Sequence, residues 1–179
     1  HRRDLDTSGL LVVAKKRSAL VEMQALLRED HGAGITKRYL ALLTGRMPDG
    51  VMSVDAPLHV GLRQGGERHV QVNFRGKPSL SHFRLLERCS GQSYCDVRIE
   101  TGRTHQIRVH LAHAGFPIAG DDKYGDFDLN KLLYKMSFKR MFLHSFLMKI
   151  RHPITHRTLA IEAPMPEDFR RLVASGARA

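Results

Sequence analysis

Cysteine is scarce in this chain of 179 residues: Cys89 and Cys95 are the only two. Two thiols make no disulfide framework and their spacing fits no zinc pattern, so a reducing, cytoplasmic setting is expected. Long apolar runs are missing as well. None approaches the ~20 residues that span a bilayer, so no membrane-spanning helix is expected. The first residues do not read as a signal peptide, because Arg2, Arg3, Asp4 and Asp6 interrupt what would have to be apolar. No Gly-x-x-x-x-Gly-Lys loop is present to cradle phosphates, which argues against a nucleotide triphosphatase. No Gly-x-Ser-x-Gly elbow presents a serine nucleophile. Acidic residues are in deficit, 18 against 29 lysines and arginines, for a net charge of +11. That balance favours a polyanionic partner, nucleic acid ahead of an anionic membrane surface. The length suits one domain with a proper core.

Local patterning points to an α+β domain without internal repeats or linkers. Residues 10–14 form a β-prone apolar run and predict a buried strand. Leu20, Met23, Leu26 and Leu27 recur at helical spacing behind Ser18, a plausible N-cap, which predicts a helix over 18–29. Strands are expected at 39–43 and 69–74, the latter after a turn at Gly65-Gly66, and at 81–88 and 93–100 around a Ser90-Gly91 turn. Residues 104–114 have helical periodicity ended by Gly115, and 120–128 read as a polar, acidic loop. Two further strands, 141–150 and 159–163, precede a last helix, 168–174, introduced by Pro164 and Pro166.

Three segments can carry chemistry. The first is His1-Arg2-Arg3-Asp4-Leu5-Asp6-Thr7-Ser8-Gly9. Asp4 and Asp6 either cap a turn or supply a carboxylate held ionised beside a cation, and the residues alone leave them equally eligible. Arg2, Arg3, Arg103 and Arg108 are the candidate cations. Tyr39, in Lys37-Arg38-Tyr39-Leu40-Ala41-Leu42, is either strand core or a ring on which a base stacks. The third segment, Gly102-Arg103-Thr104-His105-Gln106-Ile107-Arg108-Val109-His110, is either a basic amphipathic helix with solvent-facing arginines or a site. His105, His110 and His113 lie five and three apart, so only the last two share a helix face, and no Cys or His-Glu-x-x-His accompanies them; no metal site is expected. His144 and His152 read as structural.

Together these blocks resemble those of the RluA family of pseudouridine synthases, from His1 through Leu159-Ala160-Ile161-Glu162-Ala163-Pro164. The third block matches along its length and on through Gly120-Asp121 to Tyr124-Gly125. The family pattern His-Arg-Leu-Asp-x-x-Thr-Ser-Gly places the catalytic carboxylate on Asp4; Arg3 stands where that pattern has Leu. The resemblance implies the pseudouridine-synthase fold, a mixed, mostly antiparallel bent sheet with flanking helices and a basic cleft. It implies one catalytic domain over 1–179, lacking N-terminal strands and any upstream S4-type RNA-binding domain.

By the same resemblance Arg108 pairs with Asp4, with Arg103 as second choice. Tyr39 lies against the target uracil, Ile107 gives it an apolar contact, and Arg2 enters the space left by the extruded base. His105 and Arg103 contact RNA. The Gly120–Asp126 and 66–78 stretches look most like the branch that acts on large-subunit ribosomal RNA, the expected partner of a monomer needing no cofactor. The rivals are a non-catalytic RNA-binding module that retains the fold, and a metal-dependent RNA hydrolase using Asp4 and Asp6.

Overall fold

The computed structural model describes residues 4–29 and 34–176, apart from the side chains of Arg28 and Glu29. Its elements run β1 (Ser8–Gly9), α1 (Arg17–Glu29), β2 (Ile35–Thr44), β3 (Val51–Asp55), β4 (Leu58–Leu62), β5 (Arg68–Val72), β6 (Leu80–Cys89), β7 (Gln92–Ile99), α2 (Gln106–His113), α3 (Phe127–Lys135), β8 (Leu143–Arg151), β9 (Thr158–Glu162) and α4 (Glu167–Gly176). Among the described residues, seven strands form one sheet in the order β1-β8-β2-β7-β6-β3, with β9 also on β8; β4 and β5 form a separate hairpin. All pairings in the sheet are antiparallel except β1 with β8. The expected α+β class with a mixed, mostly antiparallel sheet is the one found.

The central strand β2 is buried on both faces, which explains its unbroken apolar stretch. Ala41 and Leu43 pack with Phe83, Val97, Ile107 and Leu111 under α2. Leu42, pointing the other way, packs with Phe142, Phe169, Leu172 and Leu133 under α4 and α3. Each of the larger of these side chains stabilises by about 1.5–3 kcal/mol through burial. The β4–β5 hairpin lies against α2, where Leu58 and Val70 meet Val109.

The strand expected at 10–14 is not there. Only Ser8 and Gly9 pair with β8, at His144 and Ser145. The reason is competition for an edge. The Leu10 N–H takes the Ser145 carbonyl, but the next acceptor, Phe146 O, receives the Ala163 N–H, and β9 occupies β8 from Leu147 onward. Leu11 and Val13 are therefore exposed despite their β propensity. Residues 120–128 are not all loop either: Asp126 caps α3 by accepting N–H bonds from Asp128 and Leu129 at 3.0 Å. The edge strand β3 had no clear signal, because Val51, Met52 and Val54 blur its period-two pattern.

The short β1 positions the preceding turn, in which the Thr7 N–H donates to Asp4 O at 3.1 Å. It needs Gly9, which has φ +99° and lies so near β8 that a Cβ there would sit 2.0 Å from Ser145 O. Gly9→Ala is expected to lose at least about 1–2 kcal/mol of stability from backbone conformation alone, before the clash is counted. Amide hydrogen exchange should show faster exchange at Leu10, whose N–H holds this junction; unchanged protection would show that the turn is secured without it.

Candidate active site

A cavity of about 370 Å³ opens between α2, the turn before β1 and one face of the sheet. Its size lies in the range of small-ligand sites. Lys37, Arg68, Arg103, His105 and Arg108 contribute to its wall, and Asp4 is the carboxylate among the lining residues. Tyr39 from β2 and Ile107 from α2 supply apolar wall, and Ile107 is also part of the core beneath.

Arg108 organises the charges. Its side chain is only 3% exposed. Nε and Nη2 donate to the two oxygens of Asp121 at 2.8 and 2.7 Å, a bidentate fork, while Nη1 donates to Asp4 Oδ2 at 2.5 Å. The arginine from the third block thus reaches the aspartate from the first, 104 residues away. It does not face solvent, as the amphipathic-helix alternative required. Burial by itself would lower the Arg108 pKa, but the hydrogen bonds and charges of Asp121 and Asp4 raise it above the ordinary arginine value. Burial would likewise push Asp121 up, yet the Arg108 fork, with the N–H groups of Tyr124 and Lys123, holds it below the usual carboxylate range. Asp6 is exposed. Partial desolvation, then the charge of Asp4, pushes its carboxyl up.

Arg103, the second choice for the pairing with Asp4, is engaged elsewhere: its Nε donates to the Pro78 carbonyl at 3.1 Å. It still lines the cavity. Burial pushes the Tyr39 phenol up to about 12, so its hydroxyl stays neutral at physiological pH. Arg2 lies outside the described residues.

The loop before α2 is pinned by Gln106, 3% exposed. Its Oε1 accepts from the Arg103 N–H and the Thr101 hydroxyl, and its Nε2 donates to Leu80 O and Ser81 Oγ. Ser81 lies 2.9 Å from Nδ1 of the fully buried His110, whose Nε2 faces Ala56 O at 2.9 Å. Desolvation lowers the His110 pKa. Since His110 points inward and His113 is exposed, the three histidines of this segment do not converge. No His, Cys, Asp or Glu group suited to a metal ion occurs among the described residues. His144, read as structural, bridges Ser8 Oγ at 2.8 Å and Ala163 O at 3.0 Å, tying β1 to β8 and the segment after β9.

Asp121 and Tyr124 had no role in the sequence reading; the only signal was their place in the matching block. Tyr124 lies with its ring 5.1 Å from the Arg108 guanidinium carbon. Its hydroxyl oxygen accepts the Val70 N–H at 3.0 Å and lies 2.9 Å from His105 Nδ1.

The α+β fold of this chain is that of a known class. The chain belongs to the RNA pseudouridylate synthase family, whose model matches residues 1–113. It is 47% identical over 173 residues to ribosomal large subunit pseudouridine synthase C of Escherichia coli (strain K12), covering 96% of this chain and 53% of that protein. It is 43% identical over 175 residues to the protein of the same name from Pasteurella multocida (strain Pm70), with 98% and 53% covered. The chain therefore spans about half the length of these curated relatives. Among solved structures, human RNA pseudouridylate synthase domain containing 1 superposes with a TM-score of 0.77 at 29% identity, covering 93% of this chain and 68% of that one. Human RNA pseudouridylate synthase domain containing 4, at 21% identity and a TM-score of 0.75, shares the fold. No described helix is long and apolar enough to cross a membrane.

Proposed function

We propose that the protein isomerises specific uridines of large-subunit ribosomal RNA to pseudouridine, with Asp4 as the reacting carboxylate. The observation that carries this reading is the Asp4–Arg108 pair at the edge of the cavity, flanked by Tyr39 and Ile107. A base within folded RNA must leave its stack before chemistry at its sugar bond, at a cost of about a few kcal/mol. Lys37, Arg68 and Arg103 attract the phosphate backbone, and Arg2 helps hold the base out. The uracil then stacks on Tyr39 and rests on Ile107.

The N1–C1′ bond breaks while the base stays enclosed. The uracil turns, C5 bonds to C1′, the C5 hydrogen leaves as a proton, and N1 gains one. Atoms and electrons balance without an oxidant or reductant. Asp4 takes part either as nucleophile or as base. The Tyr39 phenol acts in its neutral form, given its raised pKa. The relatives' names support the choice of ribosomal RNA, and a cytoplasmic location accords with that substrate.

Large-subunit rRNA carrying tritium at uridine C5 should release tritium on incubation with the protein, matched mole for mole by pseudouridine. RNA that is bound but neither cleaved nor stripped of tritium would support the binding-module rival instead. Cleaved RNA and inhibition by chelators would point to the hydrolase.

A further inference from the structure

We propose that His105 is a positioning residue for Asp4, oriented by Tyr124, and that its ring presents an Nε2–H to the carboxylate. The inference rests on Asp4 being the reacting group. It begins from backbone geometry: His105, at the N-cap of α2, has φ +52° and ψ +21°, the left-handed region that L side chains seldom adopt. Strain of this kind persists where the surroundings over-determine it, and it gathers at functional positions. Here the anchor is the neighbouring Gln106, whose hydrogen bonds to Thr101, Arg103, Leu80 and Ser81 hold the loop against β6.

The ring's orientation follows from counting protons. The Tyr124 hydroxyl oxygen already accepts the Val70 N–H, at 3.0 Å, and His105 Nδ1 lies 2.9 Å from the same oxygen. The hydroxyl has one proton to give, and Nδ1 is the acceptor in reach. Giving it to Nδ1 leaves the imidazole proton on Nε2, which lies 3.7 Å from Asp4 Oδ2. That is too long for a hydrogen bond in the resting protein, and such contacts tighten in substrate complexes. Desolvation lowers the His105 pKa; Arg108 and Lys123 lower it further, while Asp4 and Asp121 oppose them. The ring thus faces Asp4 as a neutral, directional donor, and Arg108 remains the fixed cation. His105 lines the cavity with its side chain 17% exposed and Nδ1 committed to Tyr124.

The arrangement has a second consequence. Val70 belongs to the β4–β5 hairpin, and Lys123, beside Tyr124, bonds Glu67 at 2.6 Å and the Arg68 carbonyl of the same hairpin. The position of the hairpin is thereby relayed through Tyr124 and His105 to Asp4.

His105→Asn separates positioning from bulk structure. Asn tolerates the left-handed backbone, and its amide keeps a hydrogen bond within reach of Tyr124, but nothing occupies the place of Nε2. We expect kcat for pseudouridine formation to fall about ten- to a hundredfold, the scale of misplacing a reacting group, with KM and the melting temperature unchanged. Tyr124→Phe keeps the ring beside Arg108 and should lower kcat by less. The double variant should be no worse than His105→Asn alone, because both act through one relay. Nitrogen-15 NMR of the imidazoles should show His105 as the Nε2–H tautomer in the wild type and as a mixture in Tyr124→Phe.

Wild-type kcat in His105→Asn, a rise in KM alone, additive losses in the double variant, or an Nδ1–H tautomer in the wild type would each overturn the proposal. If the wild type itself released no tritium, the isomerase reading would fall and take this role with it. The tautomer would still report on the Tyr124–His105 bond.

Discussion

Asp4→Asn should reduce tritium release from C5-labelled rRNA by about a thousandfold or more while leaving RNA affinity near that of the wild type. A positioned acid–base group alone is worth about 10²–10⁴-fold, and a lost nucleophile costs at least as much. The substitution changes little else. Asn has the size of Asp, and its amide oxygen can still accept from Arg108 Nη1. Arg108 keeps its two bonds to Asp121, so no buried cation is left without a counter-charge. The melting temperature should therefore barely move, which separates loss of chemistry from loss of fold. Binding checked by filter retention over a range of salt should show the same steep slope in both proteins, since counterion release depends on cations that remain. Substantial turnover in Asp4→Asn would remove Asp4 from the mechanism.

Arg108→Met should have the largest effect on stability. It removes the partner of Asp121, whose side chain is 1% exposed, and leaves that carboxylate with the N–H groups of Lys123 and Tyr124. Breaking a buried pair on one side costs about 3–5 kcal/mol, because the remaining charge is stranded. Denaturant unfolding should show that loss at neutral pH. Adding Asp121→Asn to Arg108→Met should restore part of the stability and none of the activity, since Asp4 would still lack its partner.

The pH dependence has a definite sign. In the wild type the Asp121 pKa is lowered on folding, despite burial, by Arg108 and the two backbone donors. Its contribution is complete above the ordinary carboxylate value, about 3.9, and is lost as pH falls through the lowered value. In Arg108→Met, burial without the guanidinium raises the pKa, so acid neutralises a stranded charge. The stability gap between the two proteins should narrow as pH falls from about 7 toward 4. A gap that stays constant would mean that Asp121 is not the group left stranded.

The legible part of this protein was local. The β6–β7 hairpin follows from two β-prone runs around Ser90-Gly91, and the turn and second strand of the β4–β5 hairpin from Gly65-Gly66 and the alternation after it; β4 itself was not expected. The helix ended by Gly115 and the one led in by Pro164 and Pro166 are where their periods put them, within two residues. Turn chemistry and the difference between a period of 2 and one of 3.6 act over a few residues, so the sequence displays them directly. The candidate site was legible only through its blocks. On the residues alone Asp4 and Asp6 were equivalent, and four arginines competed for one role. Distance decides between them, and a chain does not carry distances on its face.

By itself, then, the sequence determined the α+β class, the cationic excess that favours a polyanion, most helices and strands, and the three segments that line the cavity. Tertiary structure alone decided the rest. It shortened β1, because β9 had taken the edge of β8. It drew Arg108 out of solvent and gave it Asp121 as a second, buried partner 13 positions away. It turned His110 into the core and set the ring of His105 between Tyr124 and Asp4. Those outcomes depend on which groups compete for the same acceptor, edge or charge once the sheet has closed, and that competition exists only between residues far apart in the chain.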